Sequence, residues 1–72
     1  MPYAVIILSG RKEIKRLNER SLSSAYTVFD HHVEQLSWSK AFRDGIGVKQ
    51  SQEVTVQLFD KREGFELREE IV

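Results

Sequence analysis

Glu13-Ile14-Lys15-Arg16-Leu17-Asn18-Glu19-Arg20, EIKRLNER at residues 13–20, is the stretch whose reading decides the fold. Ile14 and Leu17 are its only apolar residues, and they stand three apart, the spacing of neighbours on one face of a helix. A helix beginning here would run on to Leu36. The stretch also reads as the polar edge strand of a hairpin that turns at Gly10-Arg11, because lysine and arginine on an edge strand block further pairing. The strand reading is favoured, with the long helix as its competitor.

The neighbouring segments are plainer. Tyr3-Ala4-Val5-Ile6-Ile7-Leu8 is apolar at every position and rich in β-branched residues, which predicts a central strand buried on both faces. Ser21-Leu22-Ser23-Ser24-Ala25 reads as a helix start, with Ser21 as the N-cap whose hydroxyl takes an orphan amide hydrogen of the first turn. At about 100° per residue, Leu22, Ala25, Tyr26, Phe29, Val33 and Leu36 fall on one stripe of that helix. Continuing it would throw Trp38, Ala41 and Phe42 onto the opposite side, so the helix is expected to end near Ser37.

Glu53 to Phe59 alternates, with Val54, Val56 and Leu58 on one face, and is the clearest strand pattern in the chain. Asp60-Lys61-Arg62-Glu63-Gly64 is a polar turn, in which Gly64 supplies the left-handed backbone that such turns use. Phe65, Leu67 and Ile71 are expected to share one face of a charged last strand, with Glu69 at its rim. The predicted fold is α+β: a single small domain over residues 1–72, a four-stranded antiparallel sheet of order β-β-α-β-β, and one helix packed on one face. Residues 37–52 are left as an unusually long connection, and connections of that length are often functional.

Composition narrows the function classes. Forty per cent hydrophobic and 31% charged residues describe an ordinary globular domain rather than a disordered chain. The absence of Cys removes disulfide staples, thiolate zinc sites and thiol nucleophiles together. The apolar run at residues 3–8 is far shorter than the roughly 20 residues of a membrane helix, and no targeting pattern accompanies it, so a cytoplasmic protein is expected. The formal net charge is zero, which lacks the overall basic footprint of a nucleic-acid binder. Charge is nevertheless bipolar, with five basic against two acidic residues in 1–20 and three basic against six acidic in 53–72.

No catalytic signature appears. Asp30-His31-His32 shares three letters with the DHH signature of manganese-dependent phosphoesterases, but the other metal-binding motifs of that family need a chain several times longer. Asp30, His31 and Glu34 read as the solvated back of a helix, with His32 at the margin of its apolar stripe. No metal or cofactor is expected. Gly45-Ile46-Gly47 lacks the strand and helix of a dinucleotide fingerprint.

Two sets of residues remain as candidate contacts. Trp38, Lys40, Phe42 and Arg43 sit together in the long connection, and interface hot spots are enriched in Trp, other aromatics and Arg. The structural alternative is that Trp38 and Phe42 fold back to plug the core, or that the segment forms a short extra helix or a hairpin around Asp44-Gly45. The second set is Arg11, Lys12, Lys15, Arg16 and Arg20 of the first hairpin, which suit a nucleic acid or an acidic partner. A homodimer through the exposed sheet face or an edge strand is a third option.

The strand at residues 3–8, the helix start at Ser21-Leu22-Ser23-Ser24-Ala25 and the closing hairpin Val54 to Val72 together resemble the small ββαββ proteins that phages and mobile elements encode to inhibit host defence, anti-CRISPR proteins among them. The resemblance covers the whole chain at the level of architecture and carries over no individual residue. It implies a non-enzymatic protein that binds a larger protein partner and acts by steric occlusion.

Overall fold

The computed structural model describes residues 1–72. Its elements are β1 (Tyr3–Ser9), β2 (Lys12–Glu19), α1 (Leu22–Trp38), α2 (Lys40–Gly45), β3 (Thr55–Asp60) and β4 (Phe65–Ile71). The strands form one antiparallel sheet in the order β2-β1-β3-β4, and α1 packs across one face of it. This is the α+β architecture read from the sequence, with a second short helix, one of the alternatives open for the long connection, making the order β-β-α-α-β-β.

EIKRLNER is a strand, and its helical spacing has a physical cause. β2 pairs with β1 from Tyr3↔Glu19 to Ser9↔Lys12, but Ile7 faces Lys15 while Leu8 faces Glu13, so Ile14 is an extra residue. Such a bulge resets the two-residue alternation of side chains. Ile14 and Leu17 therefore both pack against the core although they stand three positions apart. The turn before the strand uses Gly10 at φ 62°, a conformation that side chains with a Cβ disfavour.

The opposite edge repeats the device and corrects an expectation. Leu58 pairs with Arg68 and Phe59 with Glu66, leaving Leu67 as the extra residue of β4. Phe65, Leu67 and Ile71 consequently do not share a face. Leu67 packs against the core, whereas Ile71 lies opposite Thr55 and is 57% exposed. Simple alternation misread β4 because the bulge is invisible in residue type alone.

Ser21 caps α1 as expected, its hydroxyl accepting from the Ser24 amide at 3.1 Å. The Ser24 hydroxyl then donates to Glu19 at 2.5 Å, tying the first helical turn to the end of β2. Ala25, Phe29, His32 and Leu36 form the buried side of the helix. Phe29 and Leu36 meet Val5, Ile7, Val56 and Leu58 from the sheet, all fully buried. A fully buried side chain of this kind contributes about 1.5–3 kcal/mol relative to leaving it exposed.

No helix covers the other face of the sheet, yet Ala4 and Ile6 are buried there too. Their cross-strand neighbours are Asn18 and Arg16 on one side and Phe59 and Gln57 on the other. Lys61 donates to Asn18 at 3.0 Å and Gln57 to Glu69 at 3.1 Å, so long polar side chains close over the strip. β1 is thereby buried on both faces, as its composition predicts.

Candidate interaction surface

The chain leaves α1 through Ser39, whose extended backbone (φ −98°, ψ 107°) breaks the helix. Its amide still donates to the Gln35 carbonyl at 2.8 Å, while its hydroxyl accepts from the Phe42 amide at 3.2 Å. One serine thus ends α1 and caps α2. The result is a rigid helical corner in place of the long connection, and it sorts the four candidate residues in different directions.

Arg43 is a structural residue, which corrects its expected role as a partner contact. It is 7% exposed, and its guanidinium donates to the carbonyls of Leu36 at 2.6 Å, Lys49 at 3.2 and 3.3 Å, and Gln52. Leu36 lies in the last turn of α1, whose carbonyls lack helical partners and carry the negative end of the helix dipole. A planar guanidinium can fork across several such oxygens. Gln52 extends the tie, donating from its amide to the Ser9 hydroxyl and accepting from the Lys49 amide at 3.2 Å. Arg43 therefore staples α1, α2 and the approach to β3 to one another.

Phe42 also turns inward. It packs against the core and stands edge-on to His32 and His31, with ring centroids 5.3 and 6.0 Å away. His32 is 5% exposed. Its Nδ1 lies 2.8 Å from the Val28 carbonyl, so that nitrogen carries the proton and donates, leaving Nε2 to face the Lys15 ammonium at 3.5 Å. Burial pushes the imidazole below its ordinary pKa; the bond to Val28 opposes this, and the positive charges of Lys15 and His31 add to it. Lys15 also sits over the Phe42 ring, 5.7 Å from its centroid. Phe42 is thus part of the seating of α2 on the body, which is the structural alternative raised for it.

Trp38 behaves in the opposite way. It closes α1 with 66% of its surface exposed, more than Leu22, Phe65 or Ile71. Lys40 is exposed beside it at the start of α2. Next to the corner lies an open cleft of about 500 Å³ bounded by Leu36 and Ser37 from α1, residues 50–53, and Ile71 and Val72. Of the four candidates, only Trp38 and Lys40 present themselves to solvent.

The basic hairpin does not form one continuous stripe. Arg11 and Lys12 are exposed at its tip, while Arg20 lies beyond the far end of β2. Eight strand residues separate those ends by roughly 26 Å. Lys15 is half-buried against His32 and Phe42, and Arg16 is held by Glu13 at 2.7 Å. That bond pulls the Glu13 carboxyl below its usual range and raises the Arg16 guanidinium.

On β4, partial desolvation and the neighbouring Glu69 raise the Glu66 carboxyl. Asp60 is buried, which by itself raises its pKa, but the Glu63 and Arg62 amides and the Arg62 guanidinium outweigh that and hold it low. It closes the β3–β4 turn. His, Asp and Glu side chains nowhere gather in threes that could hold a metal ion. No helix is long and apolar enough to cross a membrane. Comparison of the chain with protein families, curated proteins and solved structures finds no match.

Proposed function

We propose that the protein is a non-enzymatic protein-binding module that acts by covering a functional surface of a larger partner, as small phage-encoded inhibitors of host defence do. The observation that carries this reading is Trp38. It holds two thirds of its surface in water, more than any other large hydrophobic of the chain, and it stands on a corner held by Ser39 and Arg43. Preorganised aromatics of this kind give much contact area at little entropic cost. Lys40 and the adjoining cleft extend the contact.

The exposed cations Arg11, Lys12 and Arg20 support the second reading, an accessory protein that binds nucleic acid through the first hairpin. It is weaker, because Lys15 and Arg16 are already engaged within the chain. Affinity capture from the native host, with nuclease treatment, separates the two. A protein retained after nuclease by the wild type and lost by a normally folded Trp38→Ala variant supports the protein-binding reading. Retention unaffected by Trp38→Ala, or a capture that nuclease abolishes, sinks it.

A further inference from the structure

The first hairpin and the corner meet along a seam that is already parted at one end. A cleft of about 290 Å³ lies there, bounded in part by Lys12, Glu13 and Ile14 of β2 and by Ile46 and Gly47 just past α2. The bulge of β2 falls at the same place, with Ile14 as its extra residue. One residue further along, the seam is closed by side chains from three elements: Lys15 of β2, His32 of α1 and Phe42 of α2.

This closure has no place for a second proton on His32. Nδ1 already donates to the Val28 carbonyl, and Nε2 is the acceptor that faces the Lys15 ammonium at 3.5 Å. The charges that act on the ring are Lys15 from β2 and His31 from α1 itself. α2 turns the Phe42 ring toward it, while the Arg43 guanidinium is spent on backbone carbonyls and Lys40 and Asp44 are exposed. β1 carries no charged residue. Asp30 and Glu34 stand two positions away on α1, about 200° around the helix, and Glu13 is held by Arg16. No ion pair of the chain involves Lys15, His31 or His32.

We infer that the Lys15–His32–Phe42 closure is an acid-operated latch: protonation of His32 at Nε2 sets two cations against each other, and Phe42 with α2 parts from β2, extending the cleft past Ile14. The proton comes from solvent, Nδ1 keeps its bond to Val28, and Lys15 loses its acceptor. Arg43 still fastens α2 to the end of α1, so the seam opens locally while the sheet stays folded. Opening favours the imidazolium because it regains the hydration that the seam denies it. Below the ordinary pKa of 6.5, the open population rises by up to about tenfold per pH unit until the pKa of the closed ring is reached.

The test follows amide hydrogen exchange of the intact, ¹⁵N-labelled chain from pH 7.5 to 5.5, with the intrinsic pH dependence of exchange divided out and urea added below the unfolding transition. Local opening exposes little surface and responds weakly to urea, whereas global unfolding responds steeply. The Phe42 and Arg43 amides, both bonded to Ser39, are expected to lose up to about tenfold in protection over this range, with weak urea dependence. The amides of β1 and β3 should stay better protected at every pH and exchange by the urea-sensitive route. Lys15→Met should shrink the loss at Phe42 and Arg43, and His32→Gln should remove it. Should the buried His32→Gln variant fail to fold, Lys15→Met on the edge strand decides alone.

Protection at Phe42 and Arg43 that holds to pH 5.5 while the His32 ring titrates overturns the inference, because Lys15 then simply swings into water. A loss that the central strands share at the same urea sensitivity also overturns it, since that is global unfolding. So does a loss that survives Lys15→Met in full.

Discussion

Trp38 closes α1 with most of its ring in water, whereas Arg43, five residues further along the same corner, is buried and spends its guanidinium on three backbone carbonyls. Both residue types are typical of interface hot spots. What separates them is the state of the backbone around them. The last turn of α1 presents carbonyls beyond the reach of helical amides, the Lys49 carbonyl has only the Gln52 amide, and a forked cation within reach is drawn inward to them. No comparable demand acts on an indole that already lies outside the apolar stripe of its helix.

Arg43→Met should break this contrast most severely. It removes the guanidinium from the Leu36, Lys49 and Gln52 carbonyls, of which Lys49 keeps the Gln52 amide, at a cost of about 3 kcal/mol, which lowers the thermal midpoint of a domain this size by about 12 °C. Arg43→Lys should recover little of the loss, because an ammonium cannot fork across the same oxygens. Phe42→Ala should cost about 2 kcal/mol in chemical denaturation, as expected for a partly buried core aromatic. A neutral result would return Phe42 to the partner surface. Ser39→Ala removes the cap of α2 and should cost about 1 kcal/mol, with loss of hydrogen-exchange protection at Phe42.

A milder handle is pH. The folded pKa of His32 lies below its ordinary value of 6.5, so its contribution to stability is full above that pH. It declines as the pH falls, because the unfolded chain accepts the proton before the folded one does. Thermal midpoints measured downward from pH 7.5 should therefore decrease, and Lys15→Met should lessen the decrease by removing the ammonium that faces Nε2. A His32 ring resonance that titrates at or above the ordinary value contradicts the described contact. Smallest of all, Trp38→Ala should change stability by no more than about 0.5 kcal/mol. A large loss would place the indole in the core and erase the contrast with Arg43.

Much of the architecture was legible in the residues. β1 announced burial on both faces, Ser21 announced the start of α1, and the alternation of Val54, Val56 and Leu58 announced β3. The last strand was recognised as an element but misread in its facing, because the bulge at Leu67 exchanges the sides of all later residues without altering composition. The same device made β2 ambiguous, since Ile14 and Leu17 acquire helical spacing from a bulged strand. Of the four candidate contacts in the corner, Trp38 and Lys40 are exposed, which no local pattern distinguished from the inward-turned Phe42 and Arg43. The inward turn of Arg43 depends on carbonyls six to nine residues away in one direction and seven in the other, which no local pattern reports.

The sequence by itself determined the number and kind of the main elements, because periodicity, capping and turn chemistry act over a few neighbouring residues. Only the tertiary structure decided which side chains of the corner face inward. That choice is set by unpaired backbone groups and by cross-strand register, both of which come into being when distant segments meet.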